Sequence, residues 1–339
     1  MYHVYVTVSD EGRIARYAMD AATGRLTHQG DQPASGRPAP VAIDPARRFL
    51  YVARRDALLL TAYAIEPRSG ALGELNTIAV ETDPCYLATD RGGRWLFSAH
   101  YLGETAAVHR LGDGGRLVAP AVEWRHTGRG AHCFQTDPSN RFAFVPHIHG
   151  KGAPNAIFQY RFDAASGRLT ANQPPTVEPA GADGPRHFCF HPDRDIVYVS
   201  NEQGGSVSLY DFDAGAGTLS PRQTVSTLPD DWSGDNMCSQ IQITPDGRHL
   251  YAPNRGHDSI AQFSVDPDDG SLTVLGQVPA EPVPRAFAID PAGRFLISAG
   301  LRSGRLATYR IDGASGHLER IATDDVGKAP MWVSIIPAG

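Results

Sequence analysis

A segment of two short strands joined by a turn recurs six times along the chain. The residues that precede the six turns are 46, 47, 54, 53 and 46 positions apart. A second turn signal, Gly-x-Leu, occurs seven times, beginning at Gly24, Gly70, Gly115, Gly167, Gly217, Gly270 and Gly316. Repetition at about 40–50 residues with four strands to a unit is typical of a β-propeller. The six copies are AIDPARRFLYVAR (42–54), ATDRGGRWLFSAH (88–100), QTDPSNRFAFVPH (135–147), CFHPDRDIVYVSN (189–201), QITPDGRHLYAPN (242–254) and AIDPAGRFLISAG (288–300).

The two chain ends together supply the seventh unit. PMWVSIIPAG (330–339) resembles a first strand without its partner, and HVYVTVSDEGRIARYAMD (3–20) resembles the strands that should follow it. We therefore predict an all-β, seven-bladed β-propeller with four antiparallel strands per blade. The N-terminal strands join the C-terminal strand in one blade, and residues 1–339 form a single domain. A β-sandwich, the competing all-β fold, does not explain a sevenfold period.

Charge and composition exclude several classes of partner. A net charge of −6 and an isoelectric point near 6.1 provide no basic surface for nucleic acid or for an anionic membrane. The chain starts without a signal-peptide pattern and contains no apolar run of membrane-spanning length, so we predict a cytoplasmic protein. The four cysteines are widely spaced, with no CxxC pair, and are expected to be reduced, buried thiols.

Reactive side chains are predicted to cluster at one end of the propeller axis. The first strand of each blade lines the central channel and the second runs back beside it, so the start of one and the end of the other reach the same face. We count from the residue that precedes each turn: five positions back gives one ring of residues and eleven positions forward gives a second. Charged and other reactive side chains in these rings are concentrated in blades three to six. The candidates are His132, Arg186, Glu202, Arg255 and Arg285, with Arg55 and Tyr101 at the same level in blades one and two.

The stretch GPRHFCFHPDRDIVYVSNEQGG (184–205) places Arg186 and Glu202 at the outer ends of paired strands. A structural ion pair is one explanation. However, three arginines for one glutamate leave two cations without an obvious protein partner, as expected where the missing anion is a ligand. His187 and His191, in the same stretch, are expected to be satisfied structural histidines.

Blade three differs from the others by a longer connection. Its second strand and third-strand aromatic are 15 residues apart, from Val145 to Tyr160, whereas Val52 and Tyr63 are 11 apart. The extra residues lie in PHIHGKGAPNA (146–156), which is predicted to be a lid whose His147 and Lys151 face the substrate. His147 and His149 are also spaced as metal ligands, but they lack a clear third ligand, so we predict no metal.

These residues resemble the β-propeller lactonase family, which includes bacterial 6-phosphogluconolactonases and a fungal carboxymuconate lactonizing enzyme. The resemblance covers almost the whole chain and rests on GPRHFCFHP, NEQGGSV, ITPDGRHLYAPNR, PRAFAIDPAGRFLI and PMWV. It is closer to the bacterial members. In the lactonizing enzyme a histidine, two arginines and a glutamate form the proposed site, which implies that His132, Arg186, Arg255 and Glu202 are catalytic here.

The resemblance implies hydrolysis of an anionic sugar lactone, most directly 6-phosphogluconolactone, without a cofactor. Glu202 or His132 would be the general base, and Arg186 or Arg255 would meet the oxyanion. Arg285, Arg255 and Arg55 would bind the phosphate or carboxylate of the substrate. The chain has no GxSxG nucleophile motif, so direct attack by water is expected. A cycloisomerase using the same residues and a non-enzymatic interaction propeller remain the alternatives.

Overall fold

The computed structural model describes residues 1–339 and contains seven four-stranded antiparallel sheets arranged as the blades of a propeller. The first strands of neighbouring blades contact each other around the axis. The predicted seven-bladed fold with four strands per blade is confirmed. That all 339 residues form one domain stays a prediction. There is no α-helix, only two 3-10 turns (Ser9–Glu11 and Asp113–Gly115), so the structure contains no helix with the length and apolar character needed to span a bilayer.

Within each blade the strands are given in order, from the innermost strand at the axis to the outermost. They are Pro38–Ile43, Phe49–Arg54, Leu59–Ile65 and Leu72–Ala79 in blade one; Tyr86–Thr89, Trp95–His100, Thr105–Leu111 and Leu117–His126 in blade two; Gln135–Thr136, Phe142–Pro146, Ile157–Asp163 and Arg168–Val177 in blade three; Pro185–Phe190, Ile196–Asn201, Ser206–Asp213 and Thr218–Ser226 in blade four; Met237–Cys238 with Gln242–Ile243, His249–Arg255, Ser259–Val265 and Leu272–Pro279 in blade five; Pro284–Ile289, Phe295–Gly300, Arg305–Ile311 and Leu318–Asp325 in blade six; and Pro330–Pro337, Tyr2–Val8, Arg13–Met19 and Leu26–Pro33 in blade seven.

Blade seven closes the ring as predicted. Its innermost strand, Pro330–Pro337, pairs antiparallel with Tyr2–Val8, so that Val4 faces Ile335 and Val6 faces Val333. Pairing the two chain ends within one sheet leaves no open gap between the first and last repeats, which removes exposed sheet edges at the point of closure.

The recurring turn residue is a buried backbone cap at the end of the axis opposite the predicted site. In four blades an aspartate Oδ1 accepts the backbone N–H groups of the residues four and five positions later, at 2.6–2.9 Å. Backbone donors satisfy each buried carboxylate, and only Asp44 also has a cation within 4 Å, Arg48 Nε at 3.7 Å. The four caps are Asp44, Asp90, Asp137 and Asp290, all 4% exposed or less.

The Gly-x-Leu turns lock each blade to its neighbour. At Gly24 the backbone is left-handed (φ 73°) and an added Cβ would lie 2.6 Å from the ring of Phe295, so only glycine fits there. A tyrosine on the second strand of one blade donates its hydroxyl to the carbonyl of such a glycine in the next, as Tyr251 does to Gly316 at 2.7 Å. The two recurrent motifs of the sequence therefore serve the same packing contact between blades. The four cysteines are unpaired thiols, as predicted; Cys85, Cys133 and Cys238 are buried, and Cys189 is half-buried.

Candidate active site

Arg186, Glu202 and Arg255 meet directly at the axis, as the ring count predicts. Arg186 Nε lies 2.5 Å and Arg255 Nη2 lies 3.0 Å from the same oxygen, Glu202 Oε2. Arg255 Nη2 also donates to the carbonyl of Cys238 at 2.7 Å. Both arginines are therefore anchored through one carboxylate oxygen, and Glu202 Oε1 has no hydrogen-bond partner in the protein.

β-Bulges set the direction of the arginines on the first strands. The register of blade four shifts between Pro185 and His187, and that of blade six shifts between Pro284 and Ala286, so Arg186 and Arg285 lie at bulges. A bulged residue has no opposite partner and its side chain turns out of the regular alternation. The proline before each arginine lacks an N–H and suits this interruption of the ladder.

The carboxylate and its arginines are almost completely removed from solvent. Arg186 is 2% exposed, Glu202 8% and Arg255 9%. Burial, followed by the positive charge of Arg255, lowers the pKa of Arg186 to about 10. Burial alone would raise the pKa of Glu202, but Arg186 and Arg255 outweigh it and lower that pKa. At neutral pH the group therefore contains one ionised carboxylate between two guanidinium ions.

Arg285 is a further cation at this end of the axis and has no carboxylate within salt-bridge distance. Burial, with Arg186 and Arg255 nearby, lowers its pKa to about 9, so it stays protonated at neutral pH. Arg55 behaves differently because two of its guanidinium nitrogens donate to the carboxylate of Asp83, Nε at 2.6 Å and Nη2 to the second oxygen. The structure thus neutralises Arg55 within the protein and leaves Arg285 uncompensated.

His132 lies beside the charged group within a cluster of aromatic rings. Its ring centroid is 5.7 Å from that of Tyr101 and 5.4 Å from that of His187. Its Nδ1 is buried without a protein partner. Burial and the charge of Arg186 hold the pKa of His132 well below its usual value, so the imidazole is neutral at pH 7.

Two residues of the blade-three connection are placed differently from the prediction. His147 is fully buried, with Nδ1 3.0 Å from the carbonyl of Val145 and Nε2 2.9 Å from Thr127 Oγ1, because it still pairs with Ala131 at the blade edge. In this position both ring nitrogens of His147 already have protein partners, and its substrate role stays a prediction. Lys151 lies exposed at the tip of the hairpin formed by His149–Gly150 and Ala153–Pro154, and its substrate role also stays a prediction.

The hairpin of blade three is fastened to blade four. The backbone N–H of His149 donates to Gln203 Oε1 at 3.0 Å, and Asn155 bonds both to the carbonyl of Gly181 and to the N–H of Gly184. These bonds connect the hairpin to the segments that flank Arg186 and Glu202. No group of three or more potential metal ligands forms at His147, His149 or elsewhere.

Two polar residues near the site, His187 and Arg129, were not among the site residues predicted from the sequence. His187 was expected to be satisfied, but its Nε2 is buried without a partner and its ring packs edge-on against Tyr86 at 5.0 Å. Arg129, three residues before His132, has a buried Nε without a partner. Burial raises the pKa of Tyr101, and Arg129 lies close enough to oppose that rise. The sequence could have indicated His187 because it directly follows Arg186, a predicted site residue. Arg129 lies in an irregular loop, whose positions cannot be found by counting along strands.

This arrangement combines a carboxylate with one unoccupied oxygen, neutral imidazoles and an excess of buried guanidinium groups. Such a site favours an anionic ligand electrostatically and presents charged donors to an oxygen that gains negative charge. A carboxylate or imidazole within reach of a water molecule can accept its proton.

Comparisons with known proteins extend over nearly the whole chain. The family model described as "Lactonase, 7-bladed beta-propeller" matches residues 3–335. A 6-phosphogluconolactonase of Serratia proteamaculans is 36% identical over 333 residues, 98% of each chain, and one of Pectobacterium carotovorum is 34% identical with the same coverage. The solved structure of a periplasmic gluconolactonase from Pseudomonas aeruginosa has a TM-score of 0.90 and 26% identity, covering 100% of this chain and 99% of its own. This chain belongs to the seven-bladed β-propeller lactonase family.

Proposed function

We propose that the protein hydrolyses an anionic sugar lactone at the end of the propeller axis, with 6-phosphogluconolactone as the first candidate substrate. The observation that carries the proposal is the buried carboxylate of Glu202, held by Arg186 and Arg255 beside the uncompensated Arg285. The family assignment adds the reaction class, and the full-length similarity to 6-phosphogluconolactonases adds the preference for a phosphorylated sugar.

In the proposed reaction, water attacks the lactone carbonyl while Glu202 or His132 accepts its proton. Glu202 Oε1 suits this role because both arginines engage Oε2 and leave Oε1 unoccupied. A positioned base of this kind contributes roughly 10²–10⁴-fold to the rate. The proton then passes to the ring oxygen as the ester C–O bond breaks, which yields the open hydroxy acid without a covalent intermediate on the protein.

The arginines have two roles in this proposal. Arg186 has a buried Nη1, and Arg255 a buried Nε, without a protein partner. Either can donate to the developing oxyanion, where one preorganised donor contributes about 3 kcal/mol. Arg285 supplies the uncompensated charge that attracts the phosphate or carboxylate, whereas Arg55 is a weaker candidate because Asp83 already occupies it.

An interaction platform is less well supported as the function. The six exposed large hydrophobic residues come from four different blades: Met1, Leu58, Leu102, Val118, Met237 and Val274. Exposed apolar side chains of this kind are ordinary on globular surfaces. The cytoplasmic location stays a prediction from the sequence, and the Pseudomonas relative is named a periplasmic enzyme.

The decisive experiment measures acid release from freshly generated 6-phosphoglucono-δ-lactone and from unphosphorylated glucono-δ-lactone, each with and without a chelator. We expect fast, chelator-insensitive turnover of the phosphorylated lactone. Rates equal to spontaneous hydrolysis for both compounds would overturn the proposal and favour a carboxylated lactone or a cycloisomerase. Turnover that the chelator abolishes would overturn the metal-independent attack by water.

A further inference from the structure

A small cavity lies at the axis beside the Arg186–Glu202 pair. It is lined by Arg186, His187, Arg285, Arg55 and Gln240, with Trp332, Met331, Cys85, Pro40 and Ala39 completing its wall. The space leaves about 10 Å³ for the centre of a water-sized molecule, which is room for one water or one ion of similar size. The cavity therefore has the size of a single compact species.

Buried polar atoms without protein partners belong to two of the lining residues. Arg186 Nη1 and His187 Nε2 are both shielded from solvent and neither has a hydrogen-bond partner. Their residues are 2% and 5% exposed. A buried donor left without an acceptor costs about 1–3 kcal/mol, and more for a charged group, so these atoms indicate that the site is built to hold an acceptor.

The lining is strongly positive. Three arginines and no carboxylate line the cavity. The Arg55 charge is balanced by Asp83, and Glu202 is shared between Arg186 and Arg255 from outside the cavity, so Arg285 has no counter-ion in the protein. Gln240 uses Oε1 to accept the backbone N–H of Phe287, which leaves its amide nitrogen as a further donor. A cation would be repelled here, and a neutral water would leave the charge uncompensated.

We propose that this cavity is a binding site for one compact anion: a halide ion in the substrate-free protein, and a single anionic oxygen of the substrate when substrate is bound. The Nη1 group of Arg186, the guanidinium of Arg285 and the imidazole of His187 in its Nε2–H tautomer provide its donors. The halide part is independent of the proposed lactonase activity. The oxygen part rests on it, and the rest of the substrate would then lie outside the cavity, towards Glu202 and Tyr101.

The test uses bromide, which quenches tryptophan fluorescence on contact, because Trp332 forms part of the cavity wall. Bromide is titrated into the full-length protein at constant ionic strength, with a non-halide salt as the balance. We expect a saturable loss of emission on top of the linear collisional loss. Trp332→Phe should abolish the saturable part, and chloride should compete with it.

Variants of two arginines of blade six test whether bromide binds in this cavity. Arg285→Gln should weaken bromide binding about tenfold or more, because it removes a charged donor, whereas Arg302→Gln, which removes an exposed arginine, should leave it unchanged. Arg285→Lys retains the charge and should bind more tightly than Arg285→Gln. If wild type and every variant give only the same linear quenching, the halide site is overturned. Anomalous scattering from crystals soaked in bromide, with no peak between Arg186 and Arg285, would overturn it independently of fluorescence.

A competition experiment distinguishes the two sources of the anion. 6-Phosphogluconate, the product of the proposed reaction, is added to the bromide-loaded protein. Displacement of bromide would support an oxygen of the substrate in the same cavity. Saturable bromide binding that 6-phosphogluconate does not alter, in a protein that hydrolyses the lactone, would overturn the oxygen part alone. A protein that binds bromide but hydrolyses no lactone would overturn the proposed function and leave the halide site intact.

Discussion

Buried carboxylates at the two ends of the propeller axis have different hydrogen-bond partners. At one end Asp290 repeats a cap found in four blades and is satisfied by backbone N–H groups, with Oδ1 accepting those of Arg294 and Phe295 at 2.6 Å. At the other end Glu202 occurs once and is held by guanidinium groups from its own blade and the next. A backbone cap satisfies the oxygens of the carboxylate with neutral donors and stabilises a turn, whereas the arginine cluster leaves surplus positive charge at a place where a ligand can bind.

Recurrence separates structural buried carboxylates from the carboxylate of the site. A carboxylate that recurs at the same place in several blades stabilises the turn that every one of these blades contains. Glu202 belongs to no such repeated turn, and arginines of two blades hold it beside the uncompensated Arg285. The following predictions test whether the two ends differ in this way.

The largest effect is expected at Glu202. Glu202→Gln keeps the shape but removes the charge and the proton acceptor, so we expect hydrolysis to fall by roughly 10²–10⁴-fold in a steady-state assay. It also leaves Arg186 and Arg255 buried without a counter-charge, a loss that costs about 3–5 kcal/mol in comparable pairs. Glu202→Asp retains the charge and serves as the control. A folded Glu202→Gln protein with full activity would contradict the assignment of Glu202 to the site.

Acid should destabilise the fold through two buried histidines of blade two. Burial lowers the pKa of His100 and of His109 to about 4, and Ser98 Oγ bonds to Nε2 of each. Because these values lie below the unfolded value near 6.5, their contribution is complete above pH 6.5 and is lost as the pH falls towards 4. The loss approaches roughly 3 kcal/mol for each histidine. Urea unfolding between pH 7 and pH 4 measures it.

A matched variant isolates this contribution. His109→Gln removes one titrating group, so its unfolding free energy should fall less steeply between pH 6.5 and pH 4 than that of the wild type. An unchanged slope would mean that other groups dominate acid unfolding.

A substitution at the capped end of the axis should lower stability and leave activity unchanged. Asp290→Asn replaces one acceptor oxygen with an amide nitrogen opposite backbone donors, so we expect the free energy of unfolding to fall by about 1–3 kcal/mol. Because Asp290 lies at the opposite end of the axis, kcat/KM of the folded protein should equal that of the wild type. Loss of turnover at unchanged stability would break the proposed division between the two ends.

The sequence predicted the frame of the molecule better than its loops. Period and turn chemistry determine the blade number and its closure, and strand counting from Asp137 to His132, or from His191 to Arg186 and Glu202, located side chains that the ring brings together from afar. Strand counting could not foresee the ion pair between Asp83 and Arg55, because that aspartate lies in a loop between blades. It also could not foresee that a pairing with Ala131 extends the blade at His147 and that the ring is buried. Loop partners depend on tertiary contacts that a strand pattern does not encode.

The smallest effect is expected from Arg55, and it sharpens the contrast between compensated and uncompensated charge at the site. Arg55→Gln removes a cation that Asp83 already neutralises, and Asp83 is accessible enough to be hydrated afterwards. A partly exposed pair of this kind contributes about 0.2–1 kcal/mol, so KM should rise less than about fivefold with kcat unchanged. Arg285→Gln removes an uncompensated charge and should raise KM about tenfold or more. Equal losses in the two variants would mean that Asp83 releases Arg55 when substrate binds, and that both arginines then hold the substrate's anion.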